Sequence, residues 1–206
     1  RSVTVDTPGY GMSDPPNKQP SIKDYADILV DVFDYLKLDK VLIAGHHTGA
    51  AIAASFASDY PNRVTAIIMH GVPQLTAEES SGHPSLHPKP RTPLADGSHL
   101  SHSFQGRTPP DSAQILEART WMTLTSFISG PNLAHWAVFH YDMLPDLEAI
   151  KAPGLILSDA NDSLHPIDLR VAEMRPDFEY VEFSQGSIFA FMTEPKRWAK
   201  IAAEYK

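Results

Sequence analysis

The run Gly45-His46-His47-Thr48-Gly49 leaves a folding chain few choices. An apolar segment, Val41-Leu42-Ile43-Ala44, leads into it, and the small-residue segment Ala50-Ala51-Ile52-Ala53-Ala54-Ser55 leads out. A buried strand therefore passes into a helix within about one turn. A reversal that tight crowds the backbone on both sides of its apex, so Gly45 and Gly49 are expected there because a side chain at either would collide. The apex residue, His47, is expected in a strained backbone conformation with its ring pushed out above the sheet. Four alanines, Ala50, Ala51, Ala53 and Ala54, keep the following helix thin enough to lie close against that sheet.

The flanking segments supply the rest of a layered fold. Ser2-Val3-Thr4-Val5 alternates like a strand and runs into a Pro/Gly turn cluster from Asp6 to Asp14. Ser21, with Asp24 three residues on, caps a helix whose apolar positions Tyr25, Ile28, Leu29, Val32, Tyr35 and Leu36 recur at helical spacing. A strand over 40–44, the turn, a helix over about 49–60 and a strand ending at His70 complete a β-α-β-α-β order, which implies a parallel sheet. Residues 74–111 are rich in Pro, Ser, His, Gly and Thr and read as a long loop. The loop histidines His83, His87, His99 and His102 are loosely spaced, which favours solvated side chains over a metal site; the reading calls for no metal and no cofactor. Two helices, over about 111–128 and 132–143, carry Trp121, Met122, Phe127, Trp136, Phe139 and Tyr141, aromatic and apolar residues whose helical spacing usually marks core. Strands over 151–158 and 179–183, a helix over about 167–174 and a final helix over about 195–204, with Trp198 and Ile201 facing inward, finish the chain.

Composition narrows the partners. At 206 residues and 42% apolar, the chain can bury one core with an inserted subdomain. A net charge of -8 gives no basic face for phosphate backbones or anionic membranes, so neither nucleic acid nor membrane is expected as a partner. No apolar run approaches the roughly 20 residues of a membrane span, and no basic-then-apolar leader stands at the N-terminus; the expectation is a cytoplasmic protein with a small-molecule ligand, its oligomeric state open. With no cysteine, disulfides, zinc-thiolate sites and a Cys nucleophile are excluded.

Two motifs carry a family resemblance. The composite Asp6-x-Pro8-Gly9-x-Gly11-x-Ser13-Asp14 resembles the loop after the fourth strand of α/β-hydrolase-fold proteins, and Gly45-x-His47-x-Gly49 resembles their Gly-x-Ser-x-Gly nucleophile elbow. The resemblance implies an α/β fold: a mostly parallel sheet of the α/β-hydrolase type, truncated at the N-terminus, with an inserted helical cap. It divides the chain into a first part of the core, 1–73, a loop-rich and helical cap insertion, 74–148, and a second part of the core, 149–206. In such proteins an acid follows the next strand, just before a hydrophobic-x-Pro segment, which implies Asp162 here. The cap roofs an apolar substrate cavity, which Trp121, Trp136 and Tyr141 would help to line. His46 and His70, near the carboxyl edge of the sheet, are either pocket residues or packed histidines.

Three departures from the family pattern shape the functional expectation. The family's first three strands and its His-Gly-rich oxyanion loop would lie before Arg1. His47 stands at the apex where the family has Ser. Counting seven residues back from Pro195, where the family has its catalytic His, gives Ile188. Ser-His-Asp acyl transfer is therefore excluded, while the Thr48 N–H keeps half of an oxyanion hole. With Ile188 in place of the loop histidine, the ring of His47 is expected to lean into the vacated space and hydrogen-bond Asp162, forming a His-Asp dyad on the elbow suited to general-base chemistry. Two functions follow: an enzyme acting on a small, largely apolar substrate through His47 and Asp162, or a catalytically inactive relative that keeps the pocket for ligand binding or partner contacts. A nonfunctional truncated product is the third reading.

Overall fold

Four apolar runs of the sequence form strands that all point the same way. The computed structural model describes residues 2–87, 92–100, 133–184 and 189–205, and between them residues 116, 117, 120, 121 and 124. Strands β1 (Val41–His46), β2 (Val64–His70), β3 (Gly154–Asp159) and β4 (Glu179–Phe183) form one parallel sheet in the order β1-β2-β3-β4. Successive side chains of a strand point to opposite faces. Ile67, Met69 and Ile156 accordingly belong to one buried cluster, and Ile68, Leu155 and Leu157 to another on the opposite face.

The first cluster is covered by α1 (Ile22–Tyr35) and α2 (Thr48–Asp59), the second by the last helix. Ser21 caps α1 through Asp24 N–H, and the Asp24 carboxylate accepts from the Ser21 backbone N–H, a complete capping box. Every residue of α2 from Ala50 to Ala57 is buried, as expected of a helix apolar all round and wedged between sheet and other helices. Between β2 and β3 lie α3 (Ala77–Ser80), α4 (Leu133–Phe139) and α5 (Leu144–Ala149). After β3 come α6 (His165–Met174), then β4, α7 (Ala190–Thr193) and α8 (Pro195–Glu204). Trp198 and Ile201 of α8 pack on the second cluster.

Two expectations need correction. Ser2–Val5 forms no strand: Val3 and Val5 are exposed, and an extended segment gains ladder hydrogen bonds only where a neighbouring strand receives it. The segment 74–111 is not wholly loop, since Thr76 and Glu79 form a second capping box that starts α3. Most of the helix expected over 111–128 lies outside the described residues. Among the described residues, no helix is long and apolar enough to cross a membrane.

Candidate active site

The strand register sets the site. His46, the last residue of β1, lies opposite His70, the last residue of β2, and His47 follows at the turn into α2. His47 has φ 50 and ψ -114, a left-handed conformation for a residue with a side chain. Its backbone is tied on both sides: its N–H donates to the His70 carbonyl at 2.9 Å, and its carbonyl accepts from Ala50 N–H at 2.8 Å and Ala51 N–H at 3.2 Å. Those bonds hold the apex in a conformation the chain would otherwise leave.

The two glycines of the elbow are there for different reasons. A Cβ on Gly45 would lie 2.0 Å from the Gly49 carbonyl oxygen, so the close approach of strand and helix requires glycine. A Cβ on Gly49 would meet nothing within 4 Å, and Gly49 is not among the residues of positive φ. The steric argument therefore holds for Gly45 and fails for Gly49, because the helix has already turned away from the strand at that point.

The ring of His47 reaches Asp162: Nε2 and Oδ2 are 2.5 Å apart. Asp162 sits in the turn after β3, where its other oxygen, Oδ1, accepts from Leu164 N–H at 3.0 Å and from the Ser163 hydroxyl at 3.3 Å. Burial pushes the Asp162 carboxyl up, but the His47 hydrogen bond and charge and the Leu164 N–H outweigh it and hold the group below the usual carboxylate range. Asp162 is thus ionised and accepts the proton of His47 Nε2; in the neutral form of the ring the lone pair is then on Nδ1. Gly71, with φ 64, packs against the other side of that contact; a Cβ there would lie 2.5 Å from His47 Cδ2, 2.8 Å from Nε2 and 3.3 Å from Asp162 Oδ2. The Cδ2–Nε2 edge of the ring is enclosed by Gly71 and Asp162, and the side chain as a whole stays 33% exposed.

A second histidine–aspartate pair lies behind the first. His70 Nε2 is 2.9 Å from Asp159 Oδ2, and both side chains are almost wholly buried. Trp198 Nε1–H donates to His70 Nδ1 at 3.2 Å, so the proton of this neutral imidazole is on Nε2, directed at Asp159. Asp159 Oδ2 also accepts from Ala190 N–H at 3.3 Å. His46 joins the two pairs: its ring stacks on His47 with centroids 3.9 Å apart and planes 14° from parallel, and meets His70 edge-on at 5.1 Å. A third carboxylate, Asp168 on α6, is fully buried; it accepts from Val72 N–H and from the Ser158 hydroxyl, both at 2.6 Å. Burial outweighs those bonds and pushes its pKa up to about 6.

The ligand-type atoms of His46, His70 and Asp159, and of His46, His47 and Asp162, lie within 4.8 Å of one another. Neither group fits a transition metal as arranged. A ring nitrogen binds a metal near the plane of its ring, and the nearly parallel stack of His46 on His47 cannot aim two such lone pairs at one ion. His70 Nε2 carries the proton that the Trp198 bond assigns to it.

The other residues expected in the pocket have these surroundings. Trp136 stacks on His140 and packs against the core with Tyr141, whose hydroxyl donates to Asp146; burial and that bond raise the Tyr141 pKa well above its ordinary value. Trp121 is exposed. Ile188 lies outside the described residues. His70 is buried behind His46 rather than open to a ligand. Sequence reasoning passed over Gly71, Asp159 and Asp168. The strand expected over 151–158 runs on to Asp159, the last residue of β3, and a glycine directly after a strand end was the one signal for Gly71.

A parallel α/β sheet with a strained strand-to-helix elbow, and an acid after a later strand poised against its apex, defines the class of α/β-hydrolase-like proteins. A family model described as alpha/beta hydrolase fold matches residues 1–134, and the chain belongs to that family. A Bacillus subtilis protein provisionally named 2-succinyl-6-hydroxy-2,4-cyclohexadiene-1-carboxylate synthase is 38% identical over 71 residues, 34% of this chain and 26% of that protein. The match thus spans about a quarter of that relative. The AB hydrolase superfamily protein YisY of Bacillus subtilis is 27% identical over 228 aligned residues, covering 100% of this chain and 81% of its own length. In a study of carboxylesterases from Nitrososphaera gargenis, a crystal structure superposes with a TM-score of 0.76 at 17% identity, over 95% of this chain and 75% of that one; the likeness is one of fold.

Proposed function

We propose that the chain carries the active site of a hydrolase for small, largely apolar esters, with a His47–Asp162 dyad where the family has Ser-His-Asp. The observation that supports this is the contact of 2.5 Å between His47 Nε2 and Asp162 Oδ2 at the apex of the elbow. Asp162 orients the imidazole and offsets positive charge developing on it, while Nδ1 serves as the basic atom. The N–H groups of Thr48 and Gly49, the first of α2, have no intrahelical acceptor and no other backbone acceptor among the described residues. They are suited to hold the oxygen of a substrate carbonyl as it becomes an oxyanion. The carboxylesterases named in that structural study make ester hydrolysis the first activity to assay.

Turnover of p-nitrophenyl acetate and butyrate tests the proposal. His47→Ala is expected to lower kcat/KM by about 10³-fold and Asp162→Asn by about 10²-fold, with the circular dichroism spectrum unchanged. Undiminished turnover in His47→Ala refutes the dyad. A second reading, a catalytically inactive ligand binder, is favoured by the joint loss of the apex Ser and, at Ile188, of the loop histidine. Tight binding of an apolar ester with no turnover would select it.

A further inference from the structure

We infer that His47 acts as a nucleophile through Nδ1, forming a covalent acyl-imidazole, and that the substrates are esters of weakly basic leaving groups, of the aryl or enol type. The inference rests on the His47–Asp162 dyad as the catalytic site and goes beyond it in the identity of the attacking atom.

Three features point to Nδ1. Asp162 holds Nε2, and Gly71 closes the edge of the ring that carries Nε2 and Cδ2, so Nδ1 is the nitrogen left to meet a substrate. His46 lies flat on one face of the ring and fixes its plane. The third feature is position. The Thr48 N–H belongs to the peptide that follows the His47 Cα, so a carbonyl oxygen bound to it lies close to the root of the His47 side chain. Nδ1 is two bonds from Cβ, one bond farther out than a serine oxygen would be. The imidazole therefore stands where the family the chain resembles carries its nucleophile, beside the N–H suited to hold the oxyanion.

The chemistry also accounts for the joint loss of the serine and the loop histidine. The Nδ1 lone pair adds to the acyl carbon while the carbonyl oxygen takes negative charge toward the Thr48 N–H. The tetrahedral adduct then expels the leaving oxygen with its bonding pair, and the ring, acylated at Nδ1, shares its Nε2 proton with the Asp162 carboxylate. A serine ester intermediate needs a base to be hydrolysed, but an N-acyl imidazolium is activated enough for water to attack unaided. Water adds to the carbon, the C–N bond breaks with its electron pair returning to Nδ1, the acid departs as carboxylate, and both protons of the water pass to solvent. With Ile188 at the family's histidine position, the leaving oxygen departs as an anion, which suits phenolates and enolates and disfavours alkoxides.

The test mixes the protein with excess p-nitrophenyl acetate and follows nitrophenolate by stopped flow, with on-line intact mass measurement and peptide mapping. The expected result is a burst of about one equivalent and one acetyl group on His47, absent in His47→Ala. Nitrophenolate release in the burst should be independent of added hydroxylamine, because the amine meets only the acyl-enzyme. In Asp162→Asn the acetyl group should still map to His47 but form more slowly. Turnover that requires His47 yet leaves no acetyl group on it, with release rising in proportion to hydroxylamine, would show direct attack by water; it would overturn this inference and leave the dyad standing. Ethyl acetate hydrolysed as fast as the aryl ester would overturn the leaving-group assignment. No His47-dependent turnover of any ester would overturn both.

Discussion

His47–Asp162 and His70–Asp159 are the same chemical pair at the same edge of the same sheet, and their surroundings give them opposite properties. In the outer pair the aspartate is buried and the imidazole is one-third exposed, with one nitrogen held and the other open. In the inner pair both nitrogens of His70 are engaged, by Asp159 and by Trp198 of the last helix, and nothing is exposed. A histidine and an aspartate in contact are thus a reactive unit only where one lone pair is left uncommitted. Otherwise they act as a buried joint, here tying α8 to the end of β2.

The largest expected contrast is in stability. His70→Ala removes the partner of a buried carboxylate, leaves it only the Ala190 N–H, and is expected to cost about 3–5 kcal/mol. His47→Ala lets water reach Asp162 and should cost only about 1–2 kcal/mol. Urea denaturation of the two variants measures both, and equal losses would erase the distinction between the pairs.

The third carboxylate supplies the next effect. The pKa of Asp168, raised to about 6, means that between about pH 4 and 6 the folded chain holds a proton the unfolded chain has released. Its contribution to stability therefore falls as pH rises through that window, by about 3 kcal/mol for roughly two units. Asp168→Asn should be more stable than the parent by up to that amount above pH 6, with the gain gone near pH 4. Asp162 has the opposite sign: held below its usual range by His47, it contributes stability that is present above the ordinary carboxylate pKa and lost as pH falls through its depressed value. Melting temperatures across pH 4–8 for Asp168→Asn check the first; a gain that persists at pH 4 would contradict it.

Gly71 lies between the pairs, next to His70 in the chain and against the ring of His47. Gly71→Ala should cost about 1–2 kcal/mol for the left-handed backbone. It should also lower ester turnover by about tenfold or more, because the added carbon pushes the imidazole off Asp162. Unaltered kcat in a folded Gly71→Ala would show that the ring does not need this support. The smallest change is expected at Gly49→Ala, which fills open space in a helical residue and should raise stability by about 0.5–1 kcal/mol, read from the melting curve.

Much of this arrangement was legible in the residues. Apolar runs marked four parallel strands, and Ser21 with Asp24 marked the start of α1. The tight turn required glycine at position 45, and its apex gave His47. The same local reasoning overreached at Gly49, where clearance depends on how the helix leaves the strand, and at Ser2–Val5, where an alternating pattern has no strand beside it. Trp136 and Tyr141 were expected as core from their helical spacing and as pocket lining from the family resemblance; both pack against the core, and the Tyr141 hydroxyl donates to Asp146.

Residue order alone specified the elements and their sequence along the chain, because strand and helix patterning, capping and tight-turn sterics act between residues close in sequence. Which histidine keeps a nitrogen uncommitted was set by contacts across 115 residues for His47 with Asp162, and 89 for His70 with Asp159. The two histidines differ in the partner each nitrogen finds and in the water that reaches it, and both depend on how the strand ends, α8 and the turn after β3 come together in space.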